Sequence, residues 1–134
     1  MNADPLKLGR FTGQFHALLR IVTSLLFIQH GSMKLLGFPA SPMPRPTLAS
    51  LMGVAGALEL VGGLLVLLGL FTRPVAFLLS GQMAVAYWMA HAPQGPFPAS
   101  NMGEPAVLFC FIFLYFAAAG PGPWALGSKA YANG

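Results

Sequence analysis

The chain reads as an all-α integral membrane protein, a four-helix up-down bundle, on three observations. Hydrophobic residues make up 56% of its 134 positions and charged residues only 7%, where soluble domains run near a quarter charged. Four long apolar segments carry most of the length, each close to the ~20 residues that a helix needs to cross the hydrocarbon. Stretches rich in proline and glycine separate them, and connections this short favour antiparallel neighbours. A chain of this size supports a single domain, residues 1–134.

The first span runs from about His16 to Leu36 and ends before "GFPASPMPRPT". The polar region ahead of it lacks a small-residue cleavage site, and the apolar run is too long for a signal peptide. The span is therefore expected to stay in the mature protein. The second, "LASLMGVAGALELVGGLLVLLGLF", covers Leu48 to Phe71 and stops at Thr72-Arg73-Pro74. The third runs from Pro74, favourable in a first turn, to about His91. After it, "APQGPFPASNMG" cannot continue a helix. The fourth covers Glu104 to Ala119 and stops at "GPGP". Lipid offers no partner for open backbone groups, so helices are the expected form throughout.

Basic residues set the orientation. An even number of spans puts the N-terminus, the 71–74 turn and the C-terminus on one side, with Lys7, Arg10, Arg73 and Lys129, and Arg20 just inside the first span. The opposite loops hold Arg45, with Lys34 at the membrane edge. The positive-inside rule makes the first side cytoplasmic, and the cytoplasmic (inner) membrane is the expected location. The net charge of +4 is thus a topology signal, and no nucleic-acid role is expected.

The polar residues inside the spans are the candidate site. Arg20, Thr23, Phe27, His30 and Lys34 are spaced to share one stripe of the first helix. An ionisable group at the bilayer centre costs roughly 2.5–3.5 kcal/mol, which favours an inward face or a cavity; the alternative is that Arg20 and Lys34 snorkel to opposite interfaces. Glu59 is the acidic residue deep in the second span, on a stripe with Met52, Gly56 and Gly63. It needs a cationic partner or a proton, with His30 and Arg20 as the candidate partners. The glycines allow a neighbouring helix to approach closely. A structural buried pair and a role in proton handling or ligand binding are both open for Glu59.

At the outer end, His91 closes the third span with Tyr87 and Trp88 one turn beneath, an arrangement common in interfacial belts. Asn101 and Glu104 have the spacing of a capping box for the fourth helix. Glu104 also shares a stripe with Leu108, Phe111 and Tyr115 that is a candidate pocket wall. Gln82 reads as a helix-contact residue.

Taken in order, "HGSMKLLGF" at 30–38, "ELVGGLLVLLGLFTRPVA" at 59–76, "NMGEPAVLF" at 101–109 and "GPGPWALG" at 120–127 resemble the DoxX family of small four-helix membrane proteins. The end departs from the family's usual basic residue and final aspartate after Gly-Pro-Gly, with Pro123 and Gly127 in those places. The resemblance implies one shared site built from His30, Lys34, Glu59, Asn101 and Glu104. It also implies either a membrane subunit of a quinone-linked oxidoreductase or a factor that assists assembly of other membrane proteins.

Redox chemistry is bounded by what the sequence lacks. A single Cys110 excludes an internal disulfide relay, and no iron–sulfur, zinc or dinucleotide motif appears. Any electron carrier is bound without covalent attachment or belongs to a partner. Three functions follow. In the first, a membrane subunit of an electron-transfer assembly binds a quinone head with His30 and Lys34, while Glu59 or Glu104 passes protons. Tyr87, His91, Asn101 and Glu104 complete that cofactor site. The second is a non-catalytic scaffold or assembly subunit that docks other subunits or further copies of itself. The third is haem ligation by His30 and His91.

Overall fold

The computed structural model describes residues 4–127, and within them every regular element is a helix. A 3₁₀ turn at Leu8–Phe11 leads into α1 (Thr12–Leu36); α2 (Leu51–Leu68), α3 (Thr72–Ala86), a short α4 (Pro98–Asn101) and α5 (Glu104–Ala119) follow. Two stretches, Leu8–Leu36 and Leu51–Leu68, are long and apolar enough to cross a membrane, and Glu104–Ala119 is a shorter apolar helix.

Local chemistry sets the helix ends. α1 starts earlier than its apolar run, at Thr12, and carries Gly13 within its first turn. It stops at Gly37, whose φ of 68° suits glycine. α2 is shorter than Leu48–Phe71 at both ends. The Ser50 side chain accepts from the Gly53 N–H and fixes the start. Gly69 at φ 71° closes the other end, its N–H reaching back to Leu65 and Val66. α3 begins at Thr72, so Pro74 still falls in its first turn, where the missing N–H costs nothing. Its continuation, Tyr87–His91, is a π-helical turn. The segment after it holds a 3₁₀ turn, Ala92–Gln94, and α4, which restarts at Pro98.

Side-chain contacts fix the direction of packing. Cβ positions built on Gly56, Gly31 and Gly63 would touch Leu35, Leu60 and Ile28 respectively, so α1 and α2 run antiparallel. Gly62 lies against Leu79, while Gln82 reaches Ala55 and Glu59, which makes α2 and α3 antiparallel too. Arg73 with Ala118 and Ser80 with Cys110 give the same sense for α3 and α5. Between the ends lies the core: Phe27, Val66, Ala76, Leu79, Met83, Phe113 and Phe116. Phe27 and Phe113 meet edge-on with centroids 4.8 Å apart, a favoured aromatic geometry.

Candidate functional site

The α1 stripe splits in two. Arg20, Thr23 and Phe27 are buried, as their shared face predicts, and Ser24 and Gly31 are buried with them. His30, however, is exposed and Lys34 is half-buried. The cause is the closeness of α2. A Cβ on Gly31 would stand 2.6 Å from the Leu60 nitrogen and 2.7 Å from the Gly56 oxygen. That contact makes position 31 the point of nearest approach, and its neighbour His30 turns away from it.

Lys34 is the partner of Glu59, in place of His30 or Arg20. Its ammonium donates to both carboxylate oxygens, at 2.7 and 2.8 Å. The carboxylate is almost fully buried, while the lysine side chain is 22% exposed. Gln82, on α3, adds a longer bond at 3.4 Å to the same carboxylate and one at 3.3 Å to Ala55 O. Three helices thus meet at one acid. An ammonium has three protons, so two bonds to Glu59 leave one donor for another group.

His30 and Lys34 line a pocket of about 210 Å³ with Met33, Ser41, Met43, Pro44, Pro46 and Met52. The 37–50 loop forms its outer wall and is tied to the end of α1. Ser32 Oγ donates to Phe38 O, and the Arg45 guanidinium donates to Leu35 O. The His30 ring also meets Phe109 of α5 edge-on, at 6.0 Å between centroids.

Tyr87, His91 and Asn101 form a second cluster. Asn101 is buried and central to it. Its amide donates to Gly95 O at 2.9 Å and to the Tyr87 hydroxyl at 3.3 Å, and its Oδ1 accepts from Gly103 N–H at 2.9 Å. His91 Nδ1 donates to Asn101 O at 3.1 Å. The capping-box expectation is corrected here: Gly103 is the N-cap of α5, and Asn101 instead closes the turn before it. Glu104 opens α5 and is exposed, as are Leu108, Phe111 and Tyr115. That stripe therefore faces outward, since the packed face of α5 carries Ala106, Phe113 and Phe116. The structure brings His30, Lys34 and Glu59 together, and it brings Tyr87, His91 and Asn101 together. His91 does not line the pocket of His30.

At the opposite end, a third polar group escaped the sequence reading. Arg20 does not snorkel. It is fully buried, and its guanidinium donates to Pro121 O, to Pro123 O at 3.1 Å and to Trp124 O at 2.7 Å. His16 Nε2 donates to Gly120 O at 2.9 Å, and its Nδ1 lies 3.0 Å from the Tyr115 hydroxyl. Since a carbonyl only accepts, Nε2 carries the proton. Arg73 donates to Ala118 O. Three nitrogenous side chains thereby hold one carbonyl of the last turn of α5 and four of the segment that follows it, at an end where helix polarity favours positive charge. Leu126 N–H and Gly127 N–H donate to Leu68 O and Gly69 O, at 2.9 and 3.2 Å. Lys129, counted with this end in the charge pattern, lies outside the described residues. The "GPGP" stop after α5 was the available signal, because free carbonyls there require donors from elsewhere.

Comparison with known proteins places the chain beside one family. The profile described as DoxX matches residues 15–92. A protein of Haemophilus influenzae (strain ATCC 51907 / DSM 11121 / KW20 / Rd), which carries the name "Uncharacterized protein", is 44% identical over 131 residues. That match covers 91% of this chain and 95% of the relative. No solved structure matches.

Proposed function

The chain belongs to the DoxX family, and on that premise we propose that it is a membrane subunit of a quinone-linked electron-transfer assembly. It crosses the cytoplasmic membrane four times as an up-down bundle with both termini inside. The antiparallel contacts between neighbours support the topology. So does the outward surface of the four long helices, where Val22, Leu25, Val61, Leu64, Phe77, Leu78, Leu108 and Leu114 stand exposed. Apolar side chains spread over every helix suit lipid contact better than water. The α3 helix with its π-helical turn is 20 residues long, enough to cross.

One observation carries the binding role: the pocket where His30 and Lys34 face a wall of methionine and proline. Its 210 Å³ lies below the ~300–1,000 Å³ of sites that enclose a whole drug-sized ligand. A single ring fits, with its tail lying outside among lipid. The donor set suits a carbonyl-bearing ring, because the imidazole and the remaining Lys34 proton both donate. A bound quinone supplies two-electron, two-proton redox chemistry. The chain's own part is to orient the ring, exclude water with the proline-rich loop, and hold a proton at Lys34 Nζ against the Glu59 carboxylate. Titration of the detergent-solubilised protein with a short-tailed benzoquinone tests this. His30→Ala is expected to weaken binding by about tenfold or more, the cost of a lost hydrogen bond to the ligand, with helix content unchanged. Equal affinity in that variant overturns the reading.

A second reading, a scaffold or assembly subunit, draws on the tight α1–α2 crossing. There the Lys34–Glu59 pair fixes one register of the two helices. It expects His30→Ala/Glu59→Gln double variants to be recovered from the membrane in the same complexes as the unchanged protein. Haem ligation by His30 and His91 is not carried forward, because the two rings sit among different neighbours.

A further inference from the structure

We propose that the pocket between α1, the 37–50 loop and α2 is a binding site for a soft monovalent metal ion, Cu(I), ligated by the thioethers of Met33, Met43 and Met52 together with the His30 imidazole. The chain has seven methionines, and three of them, drawn from three separate elements, line this one cavity with one histidine.

Methionine usually fills irregular gaps in a core. Here it lines an opening. Met43 is 71% exposed and Met52 48% exposed, so neither is placed there by burial. Met33 follows His30 by three residues and shares its face of α1. Met52 is the second residue of α2, just past the Ser50 cap, and Ser41 Oγ accepts from the Met43 N–H at 3.2 Å. All four donors thus hang from backbone that is held by hydrogen bonds.

Donor chemistry selects the metal. Neutral thioethers bind Cu(I) and discriminate against hard ions, which need carboxylate or carbonyl oxygen. No carboxylate lines the pocket, and imidazole suits copper as well. The pocket's own cation is compensated: Lys34 is bonded to both oxygens of Glu59, and the nearby Arg45 guanidinium is spent on Leu35 O at the negative end of α1. An incoming ion therefore meets a lysine that is already ion-paired and an arginine whose charge is partly offset by the helix end.

The inference goes beyond the quinone reading and does not depend on it, although both ligands claim the same space. The test uses the purified full chain in detergent, kept anaerobic and reducing, and titrated with Cu(I) against a chromophoric Cu(I) chelator. The chain is expected to withdraw one Cu(I), with sulfur scattering in its X-ray absorption spectrum. A triple variant, Met33→Leu, Met43→Leu and Met52→Leu, keeps side-chain volume nearly constant and leaves His30 and Lys34 in place. It is expected to lose about 100-fold in Cu(I) affinity through loss of its soft donors. Failure of the unchanged protein to compete for Cu(I), or undiminished uptake by the triple variant, overturns the metal site and leaves the quinone reading standing. Copper uptake without benzoquinone binding does the reverse.

Discussion

At the scale of single residues, the decisive group is Glu59. Its carboxylate is buried between three helices and is ion-paired with Lys34. Breaking a fully buried pair costs ~3–5 kcal/mol, but Lys34 reaches the pocket and keeps a path to water. We expect Glu59→Gln to lose about 1–3 kcal/mol, the range for a buried polar group left without its partner. The double change Lys34→Met/Glu59→Leu should recover most of that loss, since it leaves no charge to compensate. Thermal unfolding in detergent, followed by circular dichroism, checks both. A single variant as stable as the parent means that the pair does not fix the α1–α2 register. Arg20 poses the opposite case, a buried cation with no carboxylate beside it among the described residues. Its partners are the carbonyls of Pro121, Pro123 and Trp124. Hydrogen bonds to a charged group are worth about 1.5–3 kcal/mol each and do not simply add, so Arg20→Met should cost roughly 3 kcal/mol or more. The sharper readout is hydrogen exchange at Leu126 and Gly127, whose N–H groups bond the end of α2. Exchange there should accelerate once Arg20 no longer anchors the segment.

At the scale of elements, the closest contact is the α1–α2 crossing. Gly31→Ala puts a methyl within 2.7 Å of backbone atoms at Leu60 and Gly56, and backbone cannot swing aside as a side chain can. Overpacking of this kind costs about 1–3 kcal/mol. Gly81 is the matched control, with nothing within 4 Å of an added Cβ; Gly81→Ala should be neutral or stabilising by up to ~1 kcal/mol. Equal thermal shifts for the two variants would contradict the packing. The crossing also explains what the sequence did and did not reveal. The helices were legible because glycine and proline punctuate them, and the ends of α2 moved where a cap, Ser50 or Gly69, outweighed hydrophobicity. The buried face through Arg20, Thr23 and Phe27 followed from spacing alone. The rotation of His30 away from that face did not, because it depends on which residue the partner helix touches. Lys34 was missed as the partner of Glu59 for a related reason: a four-carbon stem lets a lysine near a helix end reach down to a carboxylate one turn deeper. The ligands of Arg20 lie about a hundred residues away in a segment without an acid, and no local pattern announces carbonyl acceptors.

At the scale of the whole molecule, polarity is divided between two ends with an aromatic layer between them. His16, Arg20 and Arg73 gather the carbonyls of residues 118–124 at one end, and the His30 pocket and the Asn101 cluster occupy the other. Between them Phe27, Phe113 and Phe116 are buried completely. The end that gathers the cations is the one that the positive-inside rule would assign to the cytoplasm, and under the proposed topology the His30 pocket opens outward. Cysteine scanning in a Cys110→Ala background tests that assignment. Ser41→Cys, on the pocket wall, is expected to react with a membrane-impermeant maleimide in intact cells. Asp4→Cys, whose native side chain accepts from the N–H groups of Leu8 and Gly9 before α1, should react only after permeabilisation. The reverse pattern would place the pocket in the cytoplasm. Quinone reduction there would then draw its protons from inside the cell, and any Cu(I) would reach the methionines from the cytoplasmic pool rather than from outside.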